Sequence, residues 1–409
     1  MNPAALPIVA SFVVVGIISQ FYRSAIAVIA PDLAAELALS PEELGIVGGA
    51  FFIGIAAMQV PVGVLLDRFG PRRTTPVLLI LAVAGSVLFA RADGFFELVA
   101  GQVLVGMGCA GVLMGALVTV SRWFPPKRFV MVGAAIMAIS GAGLLLSATP
   151  LAWAADGVGW RNAFLAVAAA TAVFGAVVFA FARDAPPGHD YHRRPRENLG
   201  AVIAGLREVL GHRDILFVLA LSFVAYGTVF AIRGLWGGPY LADVHGLGSV
   251  ARGNVLLFMS MGTIAGSLLY GLLESRLGGP RPLALGGAAS SALVLAVLAL
   301  APRLPMPAVT ALFTLLAFGG AYTVLLIAHG RALFPDRLVG RAMTMVNFAN
   351  FVGIGMIQIV SGVIVGAFPP GADGAAPEAA YRAVFGFIAV LVLVTAVLYS
   401  RTRGTRREG

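Results

Sequence analysis

Charge is scarce in this chain. Only 11% of its 409 residues are Asp, Glu, Lys or Arg, while 59% are hydrophobic and the mean hydropathy is +0.93. Soluble domains carry about 25% charged residues, so a water-soluble globular protein is excluded. Cysteine is scarcer still. The single Cys109 cannot form an intramolecular disulfide, and it reads as packing in a glycine-rich span. The N-terminus lacks a basic n-region, which argues against a cleavable signal peptide and makes the first apolar run a membrane anchor. No nucleotide-binding glycine loop, nucleophile triad or metal cluster is legible at membrane depth, so neither an enzyme nor a cofactor is expected. Acids are missing too: the 19 Asp and Glu residues are expected in loops or at helix ends, with none near the centre of a span.

What remains is a series of long apolar runs. Twelve recur from 7–30 to 380–400, each long enough to cross a hydrocarbon core of about 30 Å as a helix. This predicts an all-α polytopic membrane protein with twelve transmembrane helices and no separate soluble domain. The formal charge of +9 raises the question of a nucleic-acid partner. Its distribution answers otherwise. With alternate loops assigned to alternate faces, Arg91, Arg161, Arg252, Arg303 and Arg382 fall on one side and the other loop and tail cations on the opposite side. By the positive-inside rule both termini are cytoplasmic, in what reads as a bacterial inner membrane. Arg23 and Arg233 alone lie within spans.

The second half repeats the first. GVLLDRFGPRR (63–73) is echoed by GLLESRLGGPR (271–281), SFVVVG (11–16) by SFVAYG (222–227), and WFPPKR (123–128) by LFPDRL (333–338), all at an offset of about 210 residues. Such a parallel repeat suits a transporter that binds substrate between its halves. At Gly63, Asp67, Arg68, Gly70, Arg72 and Arg73 the chain resembles the major facilitator superfamily, whose loop 2-3 signature these residues match. In the second copy Ser275 replaces the acid.

The resemblance covers the whole chain. It implies two pseudo-symmetric six-helix bundles, 1–182 and 214–409, joined by a cytoplasmic linker at 183–213, and gating as the role of the signature. On physical grounds Gly63 permits close helix approach, and Asp67 suits a helix N-terminus or a nearby arginine. The linker begins proline-rich and basic, then places Leu199, Val202, Ile203, Leu206, Val209 and Leu210 at helical spacing, as an amphipathic helix on the membrane surface would. An isolated His189/His192 pair is a weak metal signal.

Drug exporters of the superfamily usually keep an intramembrane carboxylate and a helix-4 arginine; here helix 4 offers Gln102. An arginine at a helix centre costs about 2.5–3.5 kcal/mol. Arg23 and Arg233 stand at nearly matching places in the repeat, on helices 1 and 7, which face each other across the cavity in that superfamily. Converging guanidinium forks suit a carboxylate or phosphate. Snorkelling is the alternative, since Pro31 and Pro239 read as the outer helix ends.

Gln20, Tyr226, Tyr322, Asn347 and Asn350 are candidates to complete the pocket, with interhelical hydrogen bonding as their alternative. His329 is a candidate proton carrier, or else a packed histidine. The expected function is alternating-access transport of a small organic anion by a monomer in the lipid bilayer, with a proton or counter-anion as possible co-substrate and no nucleic-acid partner. A proton-coupled exporter of neutral or cationic compounds and a non-transporting receptor are the rivals.

Overall fold

The structure is a computed structural model, and it describes residues 5–186, 199–276, 279–371 and 374–402. Among them there is no strand. Eleven helices are long and apolar enough to cross a membrane, and a bent pair, Pro41–Ala57 and Gln59–Phe69 at 43°, makes the twelfth. Exposed Ile80, Phe96, Trp153 and Leu300 would be costly in water and are ordinary in lipid. The amphipathic linker pattern is a helix over Leu199–Leu210. His189 and His192 lie outside the described residues.

The first half comprises α1 (Ala5–Tyr22), α2 (Ala25–Leu37), α3 (Pro41–Ala57), α4 (Gln59–Phe69), α5 (Pro71–Ala90), α6 (Phe95–Cys109), α7 (Gly111–Trp123), α8 (Pro126–Ser140), α9 (Ala142–Leu146), α10 (Thr149–Val158) and α11 (Trp160–Phe181). The linker helix is α12 (Leu199–Leu210). The second half has α13 (Arg213–Ala231), a π turn (Ile232–Trp236), α14 (Gly237–Asp243), α15 (Ser249–Arg276), α16 (Pro280–Leu300), α17 (Met306–Gly320), α18 (Thr323–Ala332), α19 (Asp336–Gly366) and α20 (Glu378–Tyr399).

Two expected ends move. The first span runs through Pro31 to Leu37, and the seventh through Pro239 to Asp243. Pro31 removes only the amide that would reach the Ala27 carbonyl, and a glycine makes room there. A Cβ on Gly238 would collide with the Ala27 oxygen, so α14 lies directly against that exposed carbonyl. The next helix starts cleanly because Ser40 and Glu43 form a reciprocal capping box: Ser40 N–H donates to Glu43 Oε2 at 2.9 Å, and Glu43 N–H to Ser40 Oγ at 3.2 Å.

Packing divides the chain into two compact units that differ from the sequence halves: one holds 1–25 and 50–201, the other 26–49 and 202–409. Within the first, α5 packs on α6 and α11, and α1 is surrounded by α7, α8, α9 and α11. Within the second, α13 pairs with α19, α16 with α20, and α15 with α17. Residues 26–49 are sewn into this second unit. Buried Arg252 donates to Asp32 Oδ2 at 3.2 Å, the Val28 carbonyl at 3.4 Å and the Leu247 carbonyl at 3.2 Å.

The repeat seen in the sequence returns as matching caps in both units. Arg161, opening α11, donates to the carbonyls of Ala90 and Ala92 at the end of α5 (3.1 and 2.7 Å). Arg382, opening α20, donates to Ala299 and Leu300 at the end of α16 (2.7 and 3.1 Å). A cation placed on exposed terminal carbonyls complements the helix dipole. These arginines therefore fasten helix ends as well as contributing to the charge pattern.

Candidate functional site

Arg23 sits where the first span breaks. α1 stops at Tyr22, Ser24 N–H turns back to the Phe21 carbonyl at 3.1 Å, and α2 begins at Ala25. Along the first span, Val13, Ile17, Gln20 and Arg23 form a stripe of partial exposure, with Val14 beside it, and residues 24–30 beyond are all buried. The stripe follows helical spacing, so Gln20 and Arg23 share one accessible face. Gln20 leans its Cβ on Gly143 of α9. The Arg23 guanidinium lies within electrostatic reach of Cys109 on α6, whose thiol also meets Ser19. Tyr22, pointing the other way, is within 3.3 Å of the Thr171 hydroxyl.

Arg233 has different surroundings. It lies within the π turn and is 1% exposed. Its Nη1 donates to Ser260 Oγ at 3.5 Å, and the guanidinium carbon lies 4.6 Å from the centroid of the Phe230 ring. Phe230 in turn stacks on Tyr226, 5.1 Å between centroids at 21°. Tyr226, Phe230 and Arg233 thus form one column on one helix face. Partial exposure on α13 reaches Phe223 and Tyr226 and then ceases. What covers the turn beyond is residues 26–49: a Cβ on Gly48 would meet the Leu235 side chain at 3.0 Å.

The remaining candidates disperse. Asn347 is half-buried and Asn350 buried on α19, with the Asn350 Oδ1 lacking a hydrogen-bond partner among the described residues. Tyr322 sits at the break between α17 and α18, wholly buried against Gly287 of α16, its hydroxyl likewise without a hydrogen-bond partner. His329 is fully buried and its Nδ1 pairs with the Tyr399 hydroxyl at 2.6 Å; Asp214 and Arg281 lie within electrostatic reach.

The signature folds onto a partner that the sequence did not point to. Gly70 takes φ +75, and a Cβ there would strike the Asp184 carboxylate. Arg72 N–H donates to Asp184 Oδ1 at 2.8 Å, Arg72 Nε to the Phe179 carbonyl at 3.0 Å, and Arg122 Nη1 to the Asp184 carbonyl at 3.3 Å. Asp67, Arg68 and Arg73 are exposed. Gly63 departs from expectation: a Cβ there meets nothing within 4 Å, so it supports no close approach among the described residues. In the second copy Arg281 donates to the Ser400 carbonyl, after α20, as the first copy binds Asp184 after α11.

A cavity of about 670 Å³ in the second unit is lined by Pro31, Trp236, Pro239 and Tyr381, with Glu42 and Asp243 as the charged lining residues among those described. Carboxylates without a cation repel an anion, so this cavity is not the anion site. No group of three His, Cys, Asp or Glu among the described residues is placed to hold a metal.

The family model described as Major Facilitator Superfamily matches residues 12–302. A hexuronate transporter of Bacillus subtilis is 27% identical over 258 residues, 59% of this chain and 58% of its own length. A nitrate/nitrite transporter of Picosynechococcus sp. is 28% identical over 221 residues, 47% of this chain and 40% of its own length. The chain thus spans about half the length of these relatives. A bacterial homologue of the human lysosomal transporter Spinster, solved in an inward-facing, occupied conformation, superposes with TM-score 0.77 at 18% identity, covering 98% of both chains. That likeness concerns the fold.

Proposed function

Because the chain belongs to the Major Facilitator Superfamily, we propose that it is a secondary active transporter of a small organic anion, a carboxylate or phosphate ester, working by alternating access. The observation that carries this reading is Arg23, an arginine at a mid-span helix break and at the end of an accessible stripe. A guanidinium held at that depth is costly, and an anionic cargo offsets the cost while using the planar fork. Relatives named for hexuronate and for nitrate, both anions, support the same charge.

Arg233 is the second anion contact in this reading. Its burial follows from the seating of residues 26–49 on the π turn, so lifting that segment uncovers it along the Tyr226 and Phe230 column. Gln20, Tyr322, Asn347 and Asn350 complete the pocket. The signature acts as the gate on the cytoplasmic side, where both termini lie, of a bacterial inner membrane. Gly63 has open space in this structure, and in this reading it is used when those ends close. His329 is the candidate proton carrier, but its pairing with Tyr399 favours a packing role.

The test is uptake by proteoliposomes containing the purified chain, using labelled hexuronates, aldarates and sugar phosphates. Saturable accumulation of one anion, absent in Arg23→Ala, supports carriage. Saturable binding without flux would instead make the protein a receptor.

A further inference from the structure

The π turn that carries Arg233 is held from one neighbouring helix. Gly237 N–H bonds to the Ile232 carbonyl, five residues back, which places one extra residue in this turn of the seventh span. Such insertions leave helix carbonyls short of their usual donors, persist only when something else satisfies them, and are frequent at functional sites. Here α19 supplies a replacement donor at the start of the turn and a side-chain anchor at its close. At the start of the turn, Gln358 Nε2 donates to the Phe230 carbonyl at 3.0 Å. At its close, Trp236 Nε1 donates to Ser361 Oγ at 2.6 Å, and that hydroxyl passes its own proton to the Ile357 carbonyl at 2.6 Å.

Gln358 and Ser361 stand three residues apart, on one face of α19. Both are wholly buried, so neither bond competes with water. Gln358 holds its place at a cost, since its Oε1 has no hydrogen-bond partner among the described residues. A buried amide oxygen left in that state works against the fold. An apolar side chain of the same length would avoid that penalty, which points to a use beyond packing.

We infer that Gln358 is a positioning residue for Arg233: its amide holds the Phe230 carbonyl and so keeps the π turn in register. This inference rests on the anion-binding reading of Arg233. Loss of that register turns the residues beyond the turn by about 100° around the helix and shifts Arg233, inside the turn, against Ser260 and the Phe230 ring. Phe230 then serves twice, through its carbonyl toward Gln358 and through its ring toward Arg233.

A double-mutant cycle tests the assignment, because a residue acting through another loses its effect once that other is altered. The probe is whichever organic anion, from a panel of hexuronates, aldarates and sugar phosphates, most raises the melting temperature of the wild-type chain. Its affinity is measured calorimetrically in wild type, Gln358→Met, Arg233→Lys and the double variant, with Gln358→Leu replacing the methionine variant if that one does not fold. Gln358→Met is expected to weaken binding about tenfold in the wild-type background and less than about twofold beside Arg233→Lys.

Equal weakening in both backgrounds, or none in either, overturns the positioning role while leaving the anion site standing. Wild-type affinity in both Arg233→Lys and Arg233→Ala removes Arg233 from the site and the inference with it. A panel without a single binder removes the anion reading itself.

Discussion

Arg23 and Arg233 occupy nearly matching places in the two repeats, yet the chain accommodates them by different backbone irregularities. Arg23 stands at a clean break, where α1 ends and α2 restarts, and it remains partly exposed. Arg233 stands in a π turn that never interrupts the helix, and it is buried against Ser260 and Phe230. A break turns a side chain out at a helix end; an inserted residue rotates it around a continuous helix. The repeat thus conveys where along its own span a charge falls. Local backbone geometry decides which of the two charges is accessible in a given state.

The largest expected effect comes from deleting either charge. Removing one partner of a buried, hydrogen-bonded charge contact costs about 2–5 kcal/mol, so Arg23→Ala and Arg233→Ala should each abolish measurable uptake. The two arginines should also differ in the order of events. Arg23 is accessible in this structure and should react with an arginine-modifying reagent before anion is added, whereas Arg233 should react only once residues 26–49 lift away. Equal modification rates for the two would break the comparison.

Next in size is the gate. Asp67→Asn should slow flux several-fold while anion binding stays within about twofold of wild type, because Asp67 is exposed and far from the helix break in sequence. Gly70→Ala, by contrast, should lower the melting temperature. It forces φ +75 on a residue with a Cβ and drives that Cβ into Asp184, the left-handed conformation alone costing roughly 1–2 kcal/mol. Wild-type flux in Asp67→Asn would remove the gating role.

Much of this architecture was legible before any coordinates. The apolar runs marked twelve spans, and the echoed GVLLDRFGPRR marked the repeat. Proline misled at Pro31 and Pro239, because a proline removes one amide without ending a helix whose freed carbonyl finds a neighbour at Gly238. Asp184 was invisible as the partner of the signature, since it is distant in sequence and contributes through tertiary contact alone. A π turn has no residue code, so neither the burial of Arg233 nor the part played by Gln358 could be read from IRGLW.

A smaller effect is expected at His329, whose counterpart in the first repeat carries no histidine. Tyr399 from α20, Asp214 from α13 and Arg281 from α16 are the polar and charged groups around it. His329→Gln should lower the melting temperature while leaving the shape of the uptake profile between pH 5.5 and 8 unchanged, for a substrate of constant charge. A flattened profile would return the proton-carrying role to this residue.

The smallest effect should come from the linker. Exposed Glu208 takes a bidentate hydrogen bond from Arg337, at 2.6 and 2.9 Å, and this contact holds its carboxyl below the usual carboxylate range. A lowered folded-state pKa means that the docking of α12 on α19 is favoured above the unfolded value and is lost as pH falls through the lowered one. Glu208→Gln should therefore expose the linker to protease at neutral pH without changing uptake.

In the proposed function the guanidinium of Arg23 holds the anion. Calorimetry of the best-binding anion on folded wild type, Arg23→Lys and Arg23→Ala addresses it most directly. A graded loss is expected: weak residual affinity in the lysine variant, which keeps the charge without the fork, and a loss of about 30-fold or more with alanine. Affinity near wild type in Arg23→Ala would contradict it, and would leave Arg23 as a side chain reaching for the membrane surface.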